Sequence, residues 1–218
     1  MRIGKTLLCI LPLLVFSAVS RADNYSFTGN LTGINDVQSF TFTVGAGSNV
    51  VLRTLSYAGG INAAGTVIPS GGFDPILALF QGLGPTALYI AQNDDGGGNV
   101  PADPVTGAHF DTYLAVNNLT PGDYTVTIQD YANFANGPTL GDGFSGHGVT
   151  GGIFMDVTGH DRDSHWAFDV LGVESAQSQP GVTPEPSTYL LLGSAVLGLV
   201  LIIRRQRKAG LPVSSLCN

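Results

Sequence analysis

The chain has 218 residues, 44% of them hydrophobic and only 11% charged, with a formal net charge of −7. Sixteen acids lie between positions 23 and 186 against Arg53 and Arg162 alone, and that stretch has no lysine. A nucleic-acid-binding function needs a basic face to neutralise phosphates, so no nucleic-acid partner is expected. Plentiful apolar residues in regular alternation exclude intrinsic disorder, and the length suits one domain with accessory segments.

Residues 1–22 read as a secretory signal peptide. Arg2 and Lys5 supply the positive start, residues 7–19 the apolar core, and Ser20-Arg21-Ala22 a small-x-small cleavage site. The apolar run is short for a membrane span, so the mature chain is expected to begin at Asp23.

Residues 23–176 are expected to form one exported domain. Phe40, Phe42 and Val44 alternate with Thr41 and Thr43, which is the period of a half-buried strand. Val51, Leu55 and Tyr57 share a parity that Arg53 interrupts. Short apolar runs follow at 75–80 and 88–91, then 113–116, then Tyr124, Val126 and Ile128 against Thr125, Thr127 and Gln129. Residues 153–157 and Trp166, Phe168 and Val170 close the series. Gly, Asn, Asp and Pro punctuate these segments, and none shows helical periodicity. The expectation is an all-β domain, an antiparallel β-sandwich of jelly-roll type. Cys9 and Cys217 both fall outside it, so it holds no disulfide, thiol nucleophile or Cys-ligated metal.

Two clusters within the domain carry potential chemistry. Asn93-Asp94-Asp95-Gly96-Gly97-Gly98-Asn99, with Asp103 and Asp111 downstream, places hard oxygen donors on a glycine-rich loop. Asn93, Asp94, Asp95, Asp103 and Asp111 are therefore candidate Ca²⁺ ligands, because calcium accepts irregular six- to eight-fold oxygen coordination. The competing reading is a set of Asx turns that keeps the surface acidic. The second cluster is Gly159-His160-Asp161-Arg162-Asp163-Ser164-His165-Trp166. It contains serine, histidine and aspartate, but near neighbours in an extended chain point in alternating directions, and no nucleophile elbow precedes a helix. The expectation there is a turn in which Arg162 pairs with Asp161 or Asp163. No catalytic residue is assigned.

A polar linker is expected at 177–183, followed by Pro184-Glu185-Pro186, an apolar run at 189–203 and the cluster Arg204-Arg205-Gln206-Arg207-Lys208. The run is marginal for a hydrocarbon core of ~30 Å, and the basic cluster favours a cytoplasmic end. Residues 209–218 then form a cytoplasmic tail. In order and spacing, segment 184–208 resembles the PEP-CTERM sorting domain of Gram-negative bacteria. The resemblance implies a transmembrane sorting helix and an exosortase-type enzyme that removes the hydrophobic tail during export, with Pro184, Glu185 and Pro186 as the sorting signal.

A second resemblance lies inside the domain. Phe73-Asp74-Pro75-Ile76-Leu77-Ala78-Leu79-Phe80, then Gln92-Asn93-Asp94-Asp95-Gly96-Gly97, then Leu119-Thr120-Pro121-Gly122-Asp123-Tyr124-Thr125-Val126 are similar to bacterial pre-peptidase C-terminal domains. The similarity implies a small secreted β-sandwich that is not itself catalytic. Together these readings point to an exported, non-enzymatic surface or extracellular-matrix protein. The alternative is a carbohydrate-binding module with an extracellular polysaccharide as partner, drawing on Tyr57, Tyr113, Tyr131, Phe134 and Trp166. A hydrolase ranks last.

Overall fold

The computed structural model describes residues 22–148 and 152–178. The signal peptide, the sorting signal Pro184-Glu185-Pro186, its apolar run and residues 209–218 lie outside the described residues. Among the described residues no helix is long and apolar enough to cross a membrane.

The domain is all-β, and its two principal sheets are antiparallel throughout. One sheet orders β1 (Asp23–Asn30), β10 (His165–Val173), β3 (Ser48–Thr54) and β8 (Tyr113–Leu119). The other orders β11 (Ser175–Ser178), β2 (Val37–Val44), β9 (Gly122–Asp130), β6 (Pro75–Gln81) and β7 (Leu88–Asn93). A separate two-residue ladder joins β4 (Gly60–Ile61) to β5 (Val67–Ile68). Strands β6 and β7 form a hairpin, whereas β1 to β3 and β7 to β11 change sheet at every step. The alternation seen in the sequence is what makes this possible, because each strand offers one apolar face.

Those faces meet between the sheets. Phe40, Phe42 and Val44 of β2 and Tyr124, Val126 and Ile128 of β9 pack against Phe27, Leu52, Trp166 and Phe168 of the opposite sheet. Phe40 sits at the centre, with ring centroids 5.0 Å from Phe27, 5.0 Å from Phe168 and 5.4 Å from Trp166, the last edge-on. Such tilted and edge-on pairs add to the gain from burial alone. The outer face of β6 is also covered: Ala78 and Phe80 lie beneath Ala135, Leu140 and Phe144 of the segment that follows β9. That double coverage explains why β6 reads as a continuous apolar run rather than an alternating one.

Several local expectations are corrected. In β3 the inward residues are Val50, Leu52 and Thr54, so Arg53 lies on the outer face instead of interrupting the core. There its guanidinium reaches the buried Asp169 of β10 at 2.8 Å. Residues 153–157 are not a strand. Ile153, Met155 and Val157 are exposed, and Asp156 accepts hydrogen bonds from the amides of Thr158 and His160 at 2.9 and 3.0 Å. That side chain closes a turn and ends any extended run. Strand β11 also carries the sheet to Ser178, two residues into the segment read as linker.

Gly29 of β1 is fixed by the core. It pairs with Trp166, and a Cβ at this position would lie 2.5 Å from the indole Cζ2. Gly29→Ala must therefore displace the largest buried ring in the domain. The expected loss is about 1–3 kcal/mol, as for other overpacked sites. Urea unfolding followed by the single tryptophan measures it, and an unchanged midpoint would contradict this packing.

Candidate functional site

The structure distributes the five expected calcium ligands over three places. Asp103 belongs to a buried ionic network. Arg162, whose side chain is 4% exposed, directs Nε and Nη2 to Asp156 Oδ2, both at 2.9 Å, and Nη2 to Asp103 Oδ2 at 3.3 Å. The guanidinium carbon stands 3.7 Å from the Tyr57 ring centroid, and Tyr57 Oη donates to Asp156 Oδ2 at 2.7 Å. Arg162 thus pairs with Asp103 and Asp156, not with Asp161 or Asp163. The reason is direction. In an extended segment the flanking side chains point away, and Asp163 instead holds the ring and amide of His165.

Every member of this network has partners. Asp103 also accepts from the Thr106 amide and hydroxyl at 2.8 and 3.0 Å. Burial alone would raise the Asp156 carboxyl, but hydrogen bonds from Thr158, Tyr57, His160 and Arg162 outweigh it and hold the group well below the usual carboxylate range. Asp103 is lowered in the same way, with burial opposed by Arg162 and Thr106. Burial and the bond to Asp156 push the Tyr57 phenol up to about 12. A network satisfied in this way fixes loops.

Asp111 is fully buried beside the corner where the chain leaves β3. Its Oδ1 accepts from Thr54 Oγ1, Ser56 N and Tyr57 N at 2.8, 2.6 and 3.1 Å, and its Oδ2 from Ala58 N at 2.8 Å. Four donors occupy both oxygens.

Asn93, Asp94 and Asp95 lie elsewhere, where β7 ends. The order β9-β6-β7 brings this end beside the start of β6 and the end of β9. Pro75 pairs with Asp130, and Leu77 with Asn93. Asp74 therefore sits between Asp130 on one side and Asp94-Asp95 on the other. Backbone bonds lock the arrangement. Tyr131 N donates to Asp74 O at 2.9 Å, Thr112 Oγ1 donates to the carbonyls of Pro75 and Asp94, and Asn93 Nδ2 donates to Asp95 O at 2.8 Å. Asp94 Oδ1 accepts the amide of the next residue, Asp95, at 2.9 Å.

Asp74 stands apart electrostatically. It is 4% exposed, and its Oδ1 is buried with no hydrogen-bond partner. Burial first, then the charges of Asp95, Asp130, Asp94 and Asp111, push its carboxyl up to about 9. Burial likewise pushes Asp130 up to about 8. The nearest cationic candidate is His147, with Nε2 at 3.4 Å from Asp130 Oδ2, but burial pushes this imidazole down. It therefore brings little charge at neutral pH. Sequence reading found Asp94 and Asp95 because they are adjacent. It missed Asp74 and Asp130, whose proximity depends on the lateral order of strands.

Of the aromatic residues considered for sugar binding, Tyr57 and Trp166 are buried, whereas Tyr113, Tyr131 and Phe134 are partly exposed. Ser164 Oγ contacts Asn30 Oδ1 at 3.3 Å. The comparisons bear on the other end of the chain. Residues 182–208 match the PEP-CTERM protein-sorting motif, and no curated protein matches the chain. The motif implies recognition by exosortase and marks an exported, envelope-associated protein.

Proposed function

We propose that the chain is a non-catalytic surface or extracellular-matrix protein of a Gram-negative bacterium, anchored by its apolar segment until an exosortase removes the tail. The observation that carries this reading is the sorting motif at 182–208, which begins four residues after β11 ends at Ser178. The role of the folded domain is structural or one of interaction. In support, the ionic groups around Arg162 and Asp111 are consumed by internal partners rather than presented to a substrate. The strand orders β1-β10-β3-β8 and β2-β9-β6-β7, with the chain crossing between sheets at most steps, support a jelly roll extended by β11. The pre-peptidase-type resemblance gains support from where its motifs fall. Asp74-Pro75 opens β6, Asn93-Asp94-Asp95-Gly96 closes β7, and Gly122-Asp123-Tyr124 opens β9.

The test is processing in an exosortase-bearing host. The wild-type chain is expected to reach the envelope and lose its tail, whereas replacement of Pro184-Glu185-Pro186 by alanines leaves a full-length membrane species on a gel. Identical processing of the two forms would overturn the sorting assignment.

A further inference from the structure

We infer that the acidic strand end formed by Asp74, Asp95 and Asp130 is a calcium site, with Asp94 beside it, and that the metal-ligand set therefore spans three strands rather than one loop. Two observations carry the inference. The first is convergence: the start of β6 and the ends of β7 and β9 are adjacent in one sheet, which gathers carboxylates 20 to 56 residues apart in the chain. The second is the Asp74 Oδ1 atom, enclosed without a donor at a position that four other aspartates influence. Buried carboxylate oxygens almost always have a partner, and an orphan one calls for an ion or a water. The charged residues that act on it, Asp95, Asp130, Asp94 and Asp111, are all carboxylates. A cation satisfies such a set, and a second carboxylate cannot.

The chemistry selects the ion. All donors are hard oxygens, and no cysteine is present among residues 23–178. Irregular carboxylate sets of this type suit calcium better than the strict octahedron of magnesium. Among the described residues no three acidic or imidazole side chains already stand as a closed ligand set. Occupancy therefore requires the side chain of the exposed Asp95 to rotate towards Asp74, because the backbone after it is held by the bond from Gly96 N to Asp111 O at 2.7 Å. Asp103 and Asp111 take no part, because Arg162 and the 54–58 corner hold them.

The experiment is a calcium titration of the full-length chain by calorimetry, with thermal melts in EDTA, in calcium and in magnesium. Wild-type protein is expected to bind calcium with a dissociation constant of about 10⁻⁴–10⁻³ M, in the range of extracellular modules, and to melt a few degrees higher in excess calcium. Asp74→Asn and Asp95→Asn should each abolish the calorimetric signal and the melting shift. Asp142→Asn, on a distant exposed turn, should keep both. Absence of binding by the wild-type chain overturns the inference without recourse to any variant, and so does a calcium response that survives in Asp74→Asn and Asp95→Asn. Equal responses to magnesium and calcium would overturn the choice of ion.

Discussion

Arg162→Ala is expected to lower the unfolding free energy by about 3–5 kcal/mol, the usual effect of removing one partner of a buried ion pair. The magnitude follows from what remains behind. Asp103 and Asp156 have side chains that are 0% exposed, and both direct an oxygen at the guanidinium. Without it the two carboxylates face each other across a cavity, and Tyr57 loses the cation above its ring. A small domain has only about 5–15 kcal/mol in total, so the variant is expected to be close to unfolding at 37 °C. Arg162→Lys should recover part of the loss. An ammonium restores the charge but cannot reach two carboxylates and cover a ring with one planar group. The pH dependence gives a second readout. Asp103 and Asp156 are held below their ordinary values in the folded protein, so their stabilisation is fully present above about pH 4 and is lost as acid protonates them. Wild-type urea midpoints should accordingly fall as the pH drops below about 4, and Arg162→Ala should flatten that limb. Equal stability of the two proteins at pH 7 would show that the network contributes nothing.

How much of this was legible in the sequence depends on whether the relevant signal is local. Strands β2, β6, β7, β9 and β10 were visible, because each carries its own alternation or apolar run and is bounded by turn residues. Strand β1 was not. Its inner face contributes Phe27 to the main core, while Asn24, Ser26, Gly29 and Asn30 give it the composition of a loop. Pairing with β10 makes it a strand, and that pairing is tertiary. Strand β11 was hidden for the same reason: Ser-Ala-Gln-Ser has no apolar pattern and is held by the edge of β2. The reverse error occurred at 153–157, where a genuine alternation of apolar residues is overruled by the turn that Asp156 closes. Charged groups followed the same division. Asp94 and Asp95 could be picked out as neighbours in sequence, whereas Asp74 meets them only through strand order. Arg162 has Asp161 and Asp163 beside it in the chain and uses neither.

Asp111→Ala is expected to be as damaging as loss of Arg162, by a different mechanism. The carboxylate accepts from one hydroxyl and three backbone amides, all drawn from residues 54–58. These amides have no strand to pair with, because the ladder between β3 and β8 ends where the chain turns away. Asp111 thus does for this corner what a neighbouring strand does elsewhere. The corner in turn positions Tyr57 beneath Arg162, and it joins β3 to β8 through Thr54 N bonded to Thr112 O and Thr112 N bonded to Thr54 Oγ1. Truncation to alanine leaves three buried donors and the part-buried Ala58 amide unsatisfied. At about 1 kcal/mol or more each, the loss is roughly 4 kcal/mol. Asp111→Asn separates charge from hydrogen bonding. Its amide oxygen can still accept from Thr54, Ser56 and Tyr57, but its NH₂ group would face the Ala58 N–H, donor against donor. The asparagine variant should therefore fall between wild type and alanine, with protection against hydrogen exchange lost first at Ala58. Exchange rates at Ser56, Tyr57 and Ala58, read alongside urea midpoints, check this ordering. An alanine variant with wild-type protection at all three amides would mean that water replaces the carboxylate and that Asp111 is dispensable to the corner.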